Sequence, residues 1–339
     1  MRSTRIGHLA ANTEYFLRKK FPGKNILICS GVPANKALLD IFARKIKIVL
    51  LPKWKSLQYI TRKITRSPAK VFFKELPFGD DDYILWNTTK TEHFFTLNEE
   101  KRGKELLSKI GVEEGWHICF HSRDASYLDS RWKIGDSYHT YRNSDINSFL
   151  NAAEYIVQQG GYAIRMGSKV DAALLINNPE IIDYATLYRV DFGDVYIIAK
   201  CKFFLGTTSG LICIAYMFDI PLAMANLLPL YMPPPRQYDL YIPKKIWDVG
   251  RKKYLSAQEM MDITLQHCVN PEKYGLQIID NSSEEITDLC KEMNERLDKK
   301  WVERYTDLQE QYKMITGIVA PSMIGSLFLA KNKWFLEVS

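Results

Sequence analysis

A chain of 339 residues, 46% hydrophobic and 25% charged, has the composition of an ordinary folded protein and is long enough for two domains, which excludes disordered and fibrous classes. The net charge of +7 comes without an RNP, KH or zinc-finger pattern, so nucleic acid is not an expected partner. The six cysteines sit mostly in apolar runs with no CxxC pair, no apolar stretch reaches the roughly 18 residues that span a bilayer, and no signal-peptide core opens the chain; together these features predict a cytoplasmic protein.

At the start, Arg5-Ile6-Gly7-His8 reads as a glycine turn opening a helix. Such a turn normally follows a strand, yet only MRST precedes it; either the first strand is very short or the chain begins inside a longer gene product. Residues 25–31 (NILICSG) and 46–52 (IKIVLLP) read as buried strands around a helix over 34–45, one βαβ unit. Residues 41–74 hold ten basic and no acidic residues, and the helix expected over 54–65 sets Trp54, Leu57, Tyr59 and Ile60 beside them. A charge run is usually a solvated face. This one also suits an anionic membrane surface or an acidic acceptor, which would place the protein peripherally on the inner face of the membrane. Asp80-Asp81-Asp82 reads as a solvated turn, and residues 97–112 as an exposed linker helix closing a first domain, 1–112.

A second α/β series begins at Trp116. Strands are expected over 116–121, 162–166, 202–206 and 221–226, with helices over 145–159 and 211–218. The proline-rich stretch 231–245 reads as irregular cover for a cleft, and beyond Ser256 the pattern is helical, with 283–311 long and charged. Alternating strands and helices predict parallel α/β layers, with domains at 1–112 and 113–282 and a helical extension over 283–339.

Four places carry candidate chemistry. Gly206-Thr207-Thr208-Ser209-Gly210 closes a buried strand and opens a helix, a setting that binds phosphate through backbone amides and hydroxyls, although a capped core helix would look the same. His121-Ser122-Arg123-Asp124 and Arg165-Met166-Gly167 end two more strands, where open α/β sheets keep ligands, and an arginine fork there suits a diphosphate. Asp124 reads equally as a catalytic carboxylate or as a partner of these arginines. The loop 127–143, with Tyr127, Tyr138, His139, Tyr141 and Arg142, is too long for a mere connector and is expected to bind something in the cleft. Asp183, Asp191 and Asp194 are candidate contacts to a ribose or base, though each also reads as a helix cap. His8 is the sharpest base candidate, since an imidazole titrates near neutral pH and a helix start favours its neutral form, but a lone histidine is more often a capping residue. No metal-binding cluster stands out, so no metal and no cofactor are expected.

RIGHLA, HSRDASY, YRNSDI, GYAIRMG, DYA, CKFFLGTTSGL and IPKK resemble, in that order, a family of bacterial glycosyltransferases. More distantly, the second half is similar to the nucleotide-binding domain of heptosyltransferases and the fucosyltransferase group. The resemblance implies a GT-B fold: two Rossmann-like domains facing a cleft, followed by C-terminal helices. It implies metal-independent transfer of a sugar from a nucleotide-sugar co-substrate to a glycan or lipid-linked acceptor in surface polysaccharide synthesis. It also implies donor contacts at Arg123, Arg165, Thr208 and Ser209, and a base at His8, where heptosyltransferases carry an acidic residue. A sugar-nucleotide epimerase or hydrolase, and a non-catalytic nucleotide-sugar-binding module, are the competing readings of the same architecture.

Overall fold

The apolar runs of the sequence become strands of one large parallel sheet and a smaller parallel pair. In the computed structural model residues 3–51, 76–77, 79, 81–124, 137–168, 170 and 172–338 are described. Strands β1 (Ile26–Ser30) and β2 (Lys47–Leu51) pair in parallel, with Ile26 opposite Lys47. Between them the helix Lys36–Ala43 starts where the Asn35 side chain accepts the Leu38 amide at 3.0 Å, an N-cap that sets the helix entry. Among the described residues the first 112 contribute this one parallel pair rather than a full second sheet.

The main sheet is built from β3 (His117–His121), β4 (Tyr162–Arg165), β5 (Ile181–Ile182), β6 (Phe204–Gly206), β7 (Leu222–Leu227), β8 (Leu240–Pro243) and, near the end of the chain, β12 (Met323–Ile324). A separate antiparallel sheet joins β9 (Lys245–Asp248), β10 (Lys253–Tyr254) and β11 (Leu276–Ile279). The main strands lie in the order β12-β8-β7-β6-β3-β4-β5, every adjacent pair parallel. Strands β6 and β7 are buried throughout, which is why they read as unbroken apolar runs instead of alternating ones. The chain enters at β3, winds outward through β4 and β5, then returns to the other side of β3 and winds outward again from β6. That reversal between β3 and β6 parts the connections on the two sides and leaves a crevice at the carboxyl ends of the strands.

Several expectations are corrected. The helix Leu97–Lys109 is exposed along most of its length, as expected, yet one face is packed: a Cβ on Gly103 would lie 2.1 Å from the Tyr196 ring, and Tyr196 donates its hydroxyl to Glu100 at 3.0 Å. It therefore docks on the helix Asp191–Lys200. The long charged helix is two, Ser283–Leu297 and Thr306–Thr316, with Lys299 between them at φ +58°, a conformation a helix cannot hold. The proline-rich stretch is irregular only in part, because β8 follows the prolines. Strands β11 and β12 interrupt the helical C-terminal pattern; four and two residues are too few to display a strand period.

The basic stretch lies largely outside the described residues, since 52–75 and the helix expected over 54–65 fall there. At its described start two of the basic residues are paired: Arg44 with Glu99, and Lys45 with Glu92 at 3.5 Å. Among the described residues no helix is long and apolar enough to cross a membrane.

Between β7 and β8 the chain is fastened by a fully buried ion pair. Arg236 donates through Nε and Nη2 to Asp239 at 2.9 and 2.8 Å, and through Nη2 to the Ile220 carbonyl at 2.6 Å. Asp239 also accepts the Leu222 amide at 2.9 Å, so the pair ties this segment to the first residue of β7. Removing one partner strands a buried charge. Asp239→Ala is expected to cost about 3–5 kcal/mol in urea unfolding, and the double replacement Arg236→Met, Asp239→Leu to restore most of it. A single-variant loss below about 1 kcal/mol would mean that the pair does not hold this segment.

Candidate functional site

A cavity of about 690 Å³ opens at the carboxyl ends of β3, β6 and β7, where the strand order reverses. Its far wall comes from the N-terminal segment, Arg5 to His8 and Ala34, so both halves of the chain enclose it. Gly7 does not form the turn expected from the sequence; at φ −62° and ψ −45° it is already helical. Its glycine character serves contact instead. A Cβ on Gly210 would lie 2.8 Å from the Ile6 side chain and 3.0 Å from the Gly7 nitrogen, and one on Gly7 would lie 3.0 Å from the Gly210 Cα. The two glycine segments thus touch backbone to backbone, which brings His8 to the wall of the cavity that Thr208, Ser209 and Gly210 also line.

His8 opens a π-helical turn, His8–Asn12, that runs into the helix Thr13–Arg18. Such turns recur at functional sites because they re-aim side chains. Nδ1 of His8 lies 3.2 Å from Oδ1 of Asn12, and Nδ2 of Asn12 donates to the Leu76 carbonyl at 2.6 Å. A carbonyl only accepts, so the Asn12 amide is oriented with its oxygen toward His8. That places the imidazole proton on Nδ1 and leaves Nε2 as the basic nitrogen. Sequence reading missed Asn12, whose one signal is its four-residue spacing from His8.

Guanidinium groups gather on the strand-end side. Arg123 follows β3; its backbone N–H donates to Thr207 Oγ1 at 3.0 Å, and its guanidinium reaches Asn143 Oδ1. Arg142 donates to the Thr208 carbonyl from Nε at 3.1 Å and Nη2 at 2.7 Å. Burial, reinforced by Arg142 and Arg5 nearby, pushes Arg123 down to about 10. Burial lowers Arg142 too, with Arg5 adding to the effect. Thr207 is fully buried and holds Arg123 rather than facing a ligand. Ser209, 7% exposed, lines the cavity with an Oγ that has no hydrogen-bond partner among the described residues. The helix after this turn, Ile212–Met217, has six residues, so anion attraction here rests on guanidinium groups and the serine hydroxyl rather than on a long helix dipole.

Arg165 does not reach the cavity. It is buried, donates to the Ala172 carbonyl at 2.7 Å and pairs with Asp183 at 3.2 Å, while Asp183 also accepts the Leu174 amide at 2.9 Å. Both residues hold the loop after β4, and Gly167 packs against Val170 and Ala185 beside them. Asp191 and Arg189 do line the cavity, joined at 2.8 Å, and Arg189 also pairs with Asp194 at 2.8 Å. Asp191 accepts the Lys36 amide at 3.0 Å and Asn35 donates to the Asp191 carbonyl at 2.8 Å, so this cluster joins the two halves of the chain. Burial raises the Asp194 carboxyl to about 6 against the pull of Arg189. Arg189 was not singled out by sequence; its place one turn ahead of two aspartates was the available signal. Asp124 and Arg5 line the cavity. Tyr127 lies outside the described residues, as does the side chain of His139. Among the described residues no three His, Cys, Asp or Glu side chains converge as a metal cage.

Fold and site define an α/β protein whose doubly wound sheet carries a cationic crevice at the reversal of strand order. No protein-family model and no curated protein sequence matches the chain. A solved structure that matches is the glycosyl transferase family 9 protein from Veillonella parvula DSM 2008, at 12% identity and a TM-score of 0.40, over 66% of this chain and 77% of that one. A likeness of that degree carries no argument about activity, which has to come from the site itself.

His121 gives the site a pH signature. Its Nδ1 donates to the Met166 carbonyl at 2.9 Å, and burial, with Arg165 and Arg123 nearby, pushes the imidazole down to about 4 from 6.5. The folded state therefore resists protonation that the unfolded chain accepts, so the contribution of His121 is fully present above pH 6.5 and is lost as pH falls through 4. His121→Asn should flatten the decline of urea stability over that window. An unchanged slope would show that the imidazole is not held neutral by its surroundings.

Proposed function

We propose that this chain is a GT-B-type glycosyltransferase that holds the diphosphate of a nucleotide-sugar at Thr208, Ser209, Arg123 and Arg142, without a metal ion. The observation that carries the reading is the Ser209 hydroxyl: a buried polar atom without a partner among the described residues, lining a crevice that Arg5, Arg123 and Arg142 also line. Leaving such a group unpaired costs about 1–3 kcal/mol, and clustered guanidiniums repel one another; a diphosphate relieves both. Forked guanidinium donors match its oxygens in geometry as well as charge.

In this reading His8 Nε2 takes the proton of an acceptor hydroxyl as its oxygen bonds to the anomeric carbon. The bond from that carbon to the diphosphate oxygen breaks, and its electron pair leaves on the diphosphate, whose charge Arg123 and Arg142 stabilise. Asn12 keeps the His8 proton on Nδ1, so the lone pair lies on Nε2. Asp124, also at the cavity wall, is the rival base. Epimerisation or hydrolysis would need the same diphosphate site, and a product assay separates them from transfer.

Arg142→Gln should weaken nucleoside diphosphate binding about ten- to a hundredfold by calorimetry, as expected for losing a charge-assisted contact of roughly 1.5–3 kcal/mol. Arg165→Gln should act on stability through Asp183 rather than on affinity. His8→Ala should lower kcat about 10²–10⁴-fold with donor affinity retained, and chelator should change neither. Equal affinity in a folded Arg142 variant would remove the donor assignment, and loss of kcat on Asp124→Asn with His8→Ala near wild type would move the base to Asp124.

A further inference from the structure

The cavity is not uniform along the sheet, and the strand order gives it an axis. After β4 the wall is polar, with Ser168, and Arg189 with Asp191 close it on that side. After β3 and β6 it is cationic and hydroxylic. After β7 it becomes apolar: Met224, Leu227, Leu228, Pro229, Met232 and Pro233 line it. Thr208 stands at the join, its hydroxyl donating to Met224 Sδ at 3.5 Å. These six side chains carry no hydrogen-bond donor and no acceptor beyond thioether sulfur. Five of them are buried and expose one face to the cavity, whereas Met232 is 47% exposed and stands with Tyr231, 39% exposed, where the apolar wall reaches the surface.

We propose that this apolar arm binds the hydrocarbon chain of an amphiphilic substrate whose anionic or polar head sits at the arginines, which makes the acceptor of the transfer a lipid-linked one. Assigning the chain to the acceptor rests on the glycosyl-transfer reading; the binding of an amphiphile does not. A nucleobase fits the arm poorly. Against these six side chains its ring nitrogens and exocyclic groups would lose water and meet only aliphatic and thioether groups, a cost a hydrocarbon does not incur. The polar end beside Arg189 and Asp191 offers donors and acceptors of the kind a nucleoside requires. A head held by guanidinium groups and a tail along Leu227, Leu228 and Met232 uses both halves of the cavity at once, and the exposed apolar residues let a long chain leave toward the surface.

The test is calorimetric binding of n-alkyl phosphates, ethyl to octyl, below their micellar concentrations, with inorganic pyrophosphate as the head-group probe. Each methylene entering the arm should tighten Kd by up to about fourfold until the arm is filled, the factor that follows from burying one CH₂. Leu228→Gln should flatten this dependence, and Met232→Gln, at an exposed position that the fold tolerates, should reduce it for the longer chains, while pyrophosphate binds variants and wild type alike. Pyrophosphate binding with no chain-length dependence would overturn the amphiphile inference and leave the diphosphate site standing. Chain-length dependence undiminished in both variants would also overturn it, because the tail would lie elsewhere. Failure of pyrophosphate and every alkyl phosphate to bind would remove the anion site itself, and with it both readings.

Discussion

The reversal of strand order between β3 and β6 is the constraint on which the site depends. Two connections that must run to opposite sides of one sheet cannot cover the strand ends between them, so β3 and β6 present their terminal residues to a crevice. The structure braces those ends across the gap. Thr207 accepts the Arg123 amide, and the Thr208 carbonyl accepts Arg142 twice. Because Arg142 spends these bonds on a neutral carbonyl, its charge is aimed but not cancelled there. Arg165, one strand over, is neutralised by Asp183 and serves the loop instead. Arg142 and Arg165 thus differ in the charge of their partners.

The crevice becomes a cavity only because the N-terminal segment closes it. The contact of Gly7 with Gly210 admits no side chain, and it is held from both flanks. On one flank Asn35 and the Lys36 amide bond to Asp191. On the other, Arg18 bridges Glu14 at 2.6 Å and Asp219 at 2.9 Å, while His93 meets the second Glu14 oxygen at 2.6 Å. The Arg18–Asp219 pair crosses between the two halves of the chain, with Glu14 and His93 backing the arginine, so the distance of His8 from the strand ends is set by a paired charge as well as by packing.

Much of this was legible in the sequence where burial acts on long segments. The strands ending in His121, Arg165 and Gly206 are continuous apolar runs, and their turn residues mark where they stop. Hydrophobic periodicity says nothing about which end residues face outward: Arg123 and Arg165 look equivalent in sequence, and only the position of Asp183, 18 residues on from Arg165, separates them. Gly7 was read as a tight turn opening a helix, whereas here it is already helical and its missing side chain allows the contact with Gly210. Asn12 and Arg189 escaped notice for a different reason, since each pairs with a near neighbour in sequence, His8 for the one and Asp191 and Asp194 for the other, at spacings that carry no distinctive pattern. The apolar arm runs from the end of β7 into the proline-rich stretch, where composition signals irregularity but not the face that the side chains present.

The central claim is that a diphosphate fills the space before Ser209, and crystals grown with a nucleoside diphosphate test it most directly. The account predicts phosphate oxygens within about 2.7–3.2 Å of both the Ser209 hydroxyl and the Arg142 guanidinium. A nucleotide bound elsewhere, with Ser209 Oγ still lacking a partner, would contradict it.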